Sequence, residues 1–269
     1  MVKPTVISTF AGCGGSSLGY QMAGFKELLA VEWEQNAVDT FRLNFPDVTV
    51  YHGDIAKLTG KRCMELAGIE KGELDVFDGS PPCQGFSTAG KRKFDDPRNS
   101  LFKEYARLLF ELQPKAFVME NVTGMVKGCM KQAYLQIIKT LRECGYKAKG
   151  EVLNAMYYGV PQSRERVIII GFRDDLGIEP SHPKPQTKPI GIKNVFPITS
   201  IDYDTKGQFA EFNLSISKPF PTITKGNRHH FFADFGEGKR KLNIKEAQKI
   251  ASFQSYSDLQ GQMENPGNV

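Results

Sequence analysis

The stretch TVISTFAGCGGSS, residues 5 to 17, decides how the chain is expected to fold. Its first half predicts a buried β-strand, and its second half predicts a glycine-rich turn that leads into a helix from about Ser17. Glycines let the backbone turn sharply and approach a ligand closely, and the helix that follows offers free N–H groups. A strand, a glycine turn and a helix in this order are typical of the ligand-binding edge of an α/β domain.

Strands and helices continue to alternate after this start. Short runs rich in β-branched residues predict further strands at 28–33, 48–55, 75–80, 115–121, 149–155 and 166–172. Apolar residues at helical spacing predict helices over 101–113 and 135–145, the second of which ends in a glycine. The alternation predicts an α/β fold with a mostly parallel sheet that helices cover on both faces.

The pattern changes between Glu179 and Pro197, where EPSHPKPQTKPIGIKNVFP holds five prolines. No continuous helix or central strand tolerates so many prolines, so the run predicts a boundary between the sheet domain and a smaller lobe. Helical spacing returns over 241–253. We therefore expect a sheet domain over 1–172, a small lobe over 173–240, and a returning helix with an atypical end over 241–269.

Composition and charge describe a globular protein whose charge is unevenly distributed. The chain has 269 residues, of which 40% are hydrophobic, and a formal net charge of +5. Between Lys218 and Lys249 there are eight Lys or Arg residues and three acidic residues, so the excess of five equals the whole net charge. The asymmetry favours a polyanionic partner, and a solvated basic face is the equally open alternative.

The five cysteines are odd in number and form no CxxC pair. This pattern argues against a disulfide framework and a structural metal site, and it favours a reducing compartment. The N-terminus has no signal-peptide pattern, and no apolar run reaches the length of a membrane span. We therefore expect a cytoplasmic protein with no metal and no membrane partner.

Residues suited to a nucleoside follow the first strands, at the edge where open α/β sheets bind ligands. Glu32 could accept both hydroxyls of a ribose, Trp33 offers a flat face for an adenine ring, and Asp54 could accept from the adenine amino group. A surface Glu, a core Trp and a helix-capping Asp are the alternatives. The turn has the spacing GxGG rather than GxGxxG, which favours a cofactor without a pyrophosphate, and S-adenosylmethionine fits.

The loop FDGSPPCQGFSTAG, residues 77 to 90, places Cys83 after two prolines and before a glycine. Pro81 and Pro82 fix two φ angles while Gly85 permits a bend, so the thiol is held at a strand end near the cofactor edge. Such a thiol is a candidate nucleophile, and a buried inert cysteine is the alternative.

Two other segments carry candidate catalytic groups. Glu120 ends the fifth predicted strand, and its carboxyl would lie beside the Cys83 loop if the two strands are neighbours. Arg164 and Arg166 alternate on an extended segment, so they are expected to point the same way.

With these motifs the sequence resembles the DNA (cytosine-5)-methyltransferases. FAGCGG resembles the family's cofactor loop, GSPPCQGFS its nucleophile loop, ENV its acid motif and QSRERV its arginine motif. The match covers residues 4 to about 172 in the family's order, and 218–253 more loosely. The resemblance implies the Rossmann-like fold of S-adenosylmethionine-dependent methyltransferases, with a small recognition lobe.

The resemblance implies methyl transfer from S-adenosylmethionine to C5 of a cytosine that is flipped out of DNA, at a cost of roughly a few kcal/mol. Cys83 would add to C6 of the ring. Glu120 would stabilise the charge at N3 and hold the exocyclic amine. Its carboxyl must keep a proton for this role, and burial would favour the protonated form. Arg166 would hold O2, and Arg164 would orient neighbouring groups.

The resemblance also implies two sets of binding residues. The cofactor residues would be Phe10, Ala11, Gly12, Gly14, Gly15, Leu18, Glu32, Trp33, Asp54, Ile55, Pro81 and Leu101. The segment after Gln84 resembles the family's mobile loop over the flipped base, and the basic segment near the C-terminus is expected to meet phosphates. The DNA contacts would be Ser87, Lys91, Arg92, Lys225, Arg228, His229, His230, Lys239 and Arg240.

Two regions depart from the family's pattern. Only 46 residues run from Phe172 to Ser217 inclusive, and the run SYSDLQGQMENPGNV does not continue in the family's way. The alternatives are a DNA-binding relative with an incomplete cofactor pocket and an enzyme that methylates cytosine in transfer RNA. As partners we expect double-stranded DNA and, as a further candidate, a cognate restriction endonuclease; we expect a monomer.

Overall fold

The computed structural model describes residues 2–82, 100–203, 212–223 and 231–252. The chain divides into two compact units, one of residues 1–153 with 166–182 and one of residues 154–165 with 183–269. The polypeptide therefore passes between the units three times, whereas the sequence analysis expected domains that are each continuous in sequence. The predicted proline-rich boundary contains the last of these passages, between residues 182 and 183.

The first unit is built on a seven-stranded sheet. Its strands are β1 (Thr5–Thr9), β2 (Lys26–Glu32), β3 (Thr49–His52), β4 (Val76–Gly79), β5 (Ala116–Val122), β6 (Tyr146–Asn154) and, after β7 (Gln162–Ser163) of the second unit, β8 (Glu165–Arg173). Their order is β3-β2-β1-β4-β5-β8-β6; the pairs from β3 to β5 are parallel and β8 is antiparallel to β5. Strand order reverses beside β1, which is where open α/β sheets bind ligands.

Helices cover both faces of this sheet. They are α1 (Gly15–Met22), α2 (Gln35–Asn44), α3 (Gly60–Ala67), α4 (Ser100–Leu112) and α5 (Lys131–Glu143). Leu29 packs in the large core with α3, α4 and α5, whereas the next residue, Ala30, packs with Phe41 of α2. Successive strand residues point to opposite faces, so these helices lie on two sides of the sheet. The predicted α/β fold is confirmed.

The described part of the second unit contains a four-stranded antiparallel sheet and one α-helix. Its strands are β9 (Ser200–Tyr203), β10 (Phe212–Asn213), β12 (Phe231–Asp234) and β13 (Lys239–Lys241), in the order β10-β9-β12-β13, and β11 (Phe220–Pro221) pairs in parallel with β7. Helix α6 (Ile244–Ile250) begins at a capping box that Asn243 forms with Glu246. The prediction that this helix starts at 241 is wrong, because Lys241 still pairs with Phe232 in the sheet. Within the described ranges, no helix combines the length and the apolar character that crossing a membrane requires.

Candidate active site

The glycine-rich turn after β1 depends on left-handed backbone conformations. Phe10, Gly12 and Gly14 have φ values of 56°, 56° and 92°. A Cβ added at Gly14 would lie 2.2 Å from Cε2 of Phe45, whereas one added at Gly12 would meet nothing within 4 Å. Gly14 caps helix α1, so the turn ends at a helix N-terminus and has open space beside Gly12.

Glu32 lies at the end of β2 and holds the glycine turn. Its Oε2 accepts a hydrogen bond from the backbone N of Gly12 at 2.8 Å. Its Oε1 accepts from the backbone N of Trp33 at 2.9 Å and of Glu34 at 3.0 Å. Since a carboxylate has about four acceptor positions, Glu32 has room for about one further donor. Glu32 as a whole residue is 8% exposed, so its carboxylate supports the turn from a buried position.

The other predicted cofactor residues differ in their surroundings. The Trp33 side chain is 75% exposed, so it is not a core tryptophan. Asp54 accepts from the backbone N of Ala56 at 2.9 Å and caps the short helix that starts at Ile55. Ile55 is buried, and Leu101 at the start of α4 packs against the same core. Of these residues, Trp33 presents the largest accessible surface to a ligand.

Strands β5 and β8 bring two predicted catalytic side chains together. The strands are antiparallel, with Val122 opposite Arg166. Nε of Arg166 lies 2.6 Å from Oε1 of Glu120. The Glu120 side chain is 35% exposed, so the burial expected for it is only partial. Arg164 belongs to the second unit, where its backbone N donates to Oδ1 of Asn154 at 3.1 Å.

Asn121 links the acid motif to the start of the nucleophile loop. Its Nδ2 donates to the backbone O of Pro81 at 3.0 Å, and the side chain is buried. Pro81 stands two residues before Cys83 in the sequence. No role was predicted for Asn121, although a polar amide within a buried strand was a signal for one.

Asp78 on β4 was also missed. Its Oδ2 accepts from Oγ of Ser16 at 2.9 Å, and its Oδ1 accepts from Oη of Tyr20 at 3.2 Å. The residue is 7% exposed, and burial raises the pKa of its carboxyl to about 6. An acidic residue inside the apolar run VFDG was the signal that could have found it.

Several predicted residues lie outside the described ranges: Cys83, Ser87, Lys91, Arg92, Lys225, Arg228, His229 and His230. Lys239 and Arg240 lie on β13, where both take part in ion pairs. Nζ of Lys239 lies 2.5 Å from Oδ2 of Asp202, and Nη2 of Arg240 lies 2.7 Å from Oε1 of Glu246. Among the side chains that the structure describes, no group of His, Cys, Asp and Glu is arranged to hold a metal ion.

Comparison with known proteins finds one matching family model and several similar methyltransferases. The family model for C-5 cytosine-specific DNA methylase matches residues 4–213. The Type II methyltransferase M1.HphI of Haemophilus parahaemolyticus is 47% identical over 184 residues, which are 66% of this chain and 49% of that protein. The Type II methyltransferase M.AquIA of a Picosynechococcus species is 42% identical over 197 residues, which are 70% of this chain and 79% of that protein.

A solved structure of DNMT2 from Spodoptera frugiperda, a mutant form, is also similar. It has a TM-score of 0.57 and 25% sequence identity, and the match covers 72% of this chain and 60% of that chain. The chain spans about half the length of some curated relatives, 49% of M1.HphI and 44% of M.XorII from Xanthomonas oryzae. The family match extends from the glycine turn through Glu120 and Arg166 into the second unit. The chain belongs to the C-5 cytosine-specific DNA methylase family.

Proposed function

We propose that this chain transfers a methyl group from S-adenosylmethionine to C5 of a cytosine in DNA, through a covalent adduct with Cys83. The ion pair between Glu120 and Arg166 carries the proposal, because it joins two of the three side chains that this chemistry needs. Strands β4 and β5 are neighbours and parallel, so the loops that follow them leave the same edge of the sheet. Cys83 follows the end of β4 by four residues, and Glu120 lies two residues before the end of β5. Asn121 of β5 donates to the backbone O of Pro81, in the segment that follows β4.

The groups at the ends of β1 and β2 fit the proposed cofactor. The turn has open space beside Gly12, Glu32 has room for a ribose hydroxyl, and the Trp33 ring is exposed for stacking on adenine. The N-terminus of α1 favours an anionic group such as a carboxylate. When bound there, S-adenosylmethionine would supply an electrophilic methyl group on its sulfonium.

The side chains would activate the base as follows. The thiolate of Cys83 would bond to C6, which moves electron density toward C5 and N3. A proton held on Glu120 would pass to N3, and the guanidinium of Arg166 would hold O2. As C5 takes the methyl group, N3 would return its proton to Glu120. Loss of the C5 proton to water or a side chain would then restore the double bond between C5 and C6 while the bond between Cys83 and C6 breaks.

DNA is proposed as the substrate, with the second unit as a contact surface. The segment from Lys218 to Lys249 carries the net positive charge, and β13 exposes Lys239, Arg240 and Lys241. Cationic side chains of this kind bind phosphates without reading sequence. Because relatives are named Type II methyltransferases, we further propose that the protein acts in restriction and modification beside a cognate endonuclease. The monomeric state and the cytoplasmic location stay predictions from the sequence.

The test is methyl transfer from radiolabelled S-adenosylmethionine to a duplex that contains cytosine. Cys83→Ser should abolish transfer, because the hydroxyl is a far weaker nucleophile at neutral pH than the thiolate. Cys144→Ser is the matched control, since Cys144 caps the C-terminal end of α5 and should leave transfer unchanged. Full activity of Cys83→Ser would remove the covalent mechanism.

The nature of the acceptor is tested separately. Equal amounts of duplex DNA and transfer RNA should compete for the label, with the DNA methylated almost exclusively. Label recovered mainly in the RNA would instead support the transfer-RNA alternative. Failure of the wild-type chain to bind S-adenosylhomocysteine in calorimetry would support a binding relative without catalytic activity.

A further inference from the structure

A buried polar cluster lies between helix α1 and the sheet. Both oxygens of the Asp78 carboxyl are engaged there, one by the hydroxyl of Ser16 and the other by the hydroxyl of Tyr20. Ser16 is in the first turn of α1, directly after the glycine turn, and Tyr20 lies one turn later. One carboxyl therefore holds two successive turns of the helix that follows the glycine-rich turn. That turn, residues 10–14, is called the cofactor turn below.

Asp78 also helps to join two neighbouring strands of the sheet. It is the third residue of β4 and lies opposite Ser8 of β1. Its backbone O accepts from Oγ1 of Thr9 at 3.0 Å, so β1 and β4 are joined just before both strands end. After Asp78 only four residues, GSPP, precede Cys83. The same residue thus contacts the element that follows the cofactor turn and belongs to the strand that leads to the nucleophile.

Fold stability does not explain a carboxyl at this position. Burial is the main cause that raises the pKa of Asp78 to about 6, and the charge of Glu120 adds to it, while the bonds from Ser16 and Tyr20 act in the opposite direction. In the described part of the chain, Asp78 makes hydrogen bonds to hydroxyls and no salt bridge to a Lys or Arg is found. A buried carboxyl without a cationic partner costs free energy that an apolar side chain of similar size would not.

We propose that Asp78 is a positioning residue, which fixes the cofactor turn relative to the strand end that carries Cys83 and so sets the alignment of methyl donor and nucleophile. This inference rests on the proposed function. Methyl transfer needs the donor, C5 and C6 in a narrow range of geometry, and a displacement of about 1 Å costs on the order of a hundredfold in rate. A tie between the two loops affects that alignment without touching either reactant.

The test compares variants of the full-length chain. Asp78→Leu removes both hydrogen bonds, Tyr20→Phe removes one, and Asp78→Asn keeps the shape and the ability to bond to the hydroxyls. Glu27→Gln is the matched control, because Glu27 also accepts from α1, at 3.0 Å from Oγ of Ser17, but belongs to β2 and not to the strand that precedes Cys83 in the sequence. Each variant is assayed by single-turnover methyl transfer, calorimetry with S-adenosylhomocysteine, urea unfolding, and amide hydrogen exchange of the unliganded protein.

We expect the single-turnover rate to fall about tenfold or more in Asp78→Leu, less in Tyr20→Phe, and to return to within about threefold of wild type in Asp78→Asn. Stability should stay equal or rise in Asp78→Leu, and the affinity for S-adenosylhomocysteine should change less than the rate. Amides of residues 12–20 should exchange faster in Asp78→Leu than in wild type. Glu27→Gln should keep the wild-type rate.

Two outcomes would overturn the positioning role. One is an unchanged rate and unchanged exchange in Asp78→Leu; the other is a loss of rate that matches a loss of stability and is equal in Asp78→Asn. A wild-type chain that transfers no methyl group would instead refute the proposed function. In that event, exchange in residues 12–20 still decides whether Asp78 holds the cofactor turn.

Discussion

Gly12 and Gly14 have the same left-handed backbone but different surroundings. A Cβ at Gly14 would overlap the ring of Phe45, whereas a Cβ at Gly12 would lie in open space. Both substitutions to alanine pay the cost of a left-handed residue, about 1–2 kcal/mol. Only the one at Gly14 adds overpacking, of about 1–3 kcal/mol.

We therefore predict that Gly14→Ala lowers the free energy of unfolding by more than Gly12→Ala does. Urea denaturation of the two variants measures the difference, in which the backbone cost cancels. Equal losses would show that the Phe45 ring moves aside without cost.

Glu120 gives a prediction about catalysis at the same scale. Glu120→Gln keeps the size of the side chain but removes the acidic proton that would pass to N3, so methyl transfer should fall about 10²–10⁴-fold. Affinity for S-adenosylhomocysteine should stay the same, because Glu120 is not among the proposed cofactor residues. The measurement is a single-turnover assay beside calorimetry.

The control for that variant is Glu151→Gln. Glu151 is also an ion-paired carboxylate on the central sheet, with Nζ of Lys149 at 2.6 Å, and its exposure is similar. It should retain wild-type transfer. Comparable losses in both variants would show that the effect of Glu120 is one of general electrostatics and not of proton donation.

Single residues of the site were predictable where chemistry and position coincide in the sequence. Glu32, Trp33 and Glu120 each lie at or near the end of a hydrophobic strand, so their place near the carboxyl edge of the sheet could be inferred. The bonds from Asp78 to Ser16 and Tyr20 could not, because they join residues 62 and 58 positions apart whose side chains meet only after α1 packs on the sheet.

At the scale of elements, α4 is tied to the turn after β3 by one side chain. Nη2 of Arg107 donates to the backbone O of Ile55 at 3.1 Å and of Leu58 at 2.8 Å. Nε and Nη1 bind Glu104 at 2.7 Å and Glu111 at 3.0 Å. The turn that carries Ile55, a predicted cofactor residue, is thereby fixed to the helix behind it.

We predict that Arg107→Met destabilises the protein by about 2–3 kcal/mol, because it leaves backbone carbonyls and carboxylates with lost partners. Arg62→Met is the control: its pair with Glu65 is about half exposed, with side-chain exposures of 57% and 47%, and should contribute less than about 1 kcal/mol. Urea unfolding of both variants gives the comparison. Similar losses would contradict the structural role of Arg107.

Two helices of the first unit were not predicted from the sequence, for different reasons. Helix α2 has the sequence QNAVDTFRLN and buries only Val38 and Phe41, so its apolar spacing is weak. Helix α3 is framed by Thr59 as its N-cap and by Gly68 in a left-handed conformation, which are ordinary start and stop signals. Helix α2 lacked a clear apolar pattern. Helix α3 had capping residues, which a search for apolar spacing alone does not use.

At the scale of the whole molecule, buried carboxyls make stability depend on pH. Burial raises the pKa of Glu27 to about 7 and that of Asp78 to about 6. In the unfolded chain both return to about 4, so the folded chain binds more protons between these values. Their contribution is fully present below about pH 4 and is lost as pH rises through about 6 to 7.

We predict that Glu27→Gln reduces this dependence. The amide does not titrate, so the free energy of unfolding should fall by about 3 kcal/mol less in the variant than in wild type between pH 4 and pH 8. Urea titrations at each pH measure the two curves, and other titrating groups cancel in the difference. Parallel curves would show that Glu27 does not keep its proton in the folded state.

The division of the molecule was harder to predict than its sheet. The strands of the first unit are short, apolar and separated by turns, so their number and positions were visible. Residues 154–165 lie between two strands of that sheet but belong to the second unit. Nothing in their composition distinguishes them, because their assignment depends on the pairing of β7 with β11, more than fifty residues later.

That pairing limits how this chain could be re-engineered. Gln162 is aligned with Phe220 and Ser163 with Pro221, and Oγ1 of Thr222 donates to the backbone O of Ser163 at 2.7 Å. A foreign lobe grafted only over residues 183–252 would leave the dodecapeptide 154–165 without its own complement. A working chimera would have to exchange both pieces together, or preserve the β11 edge of the host.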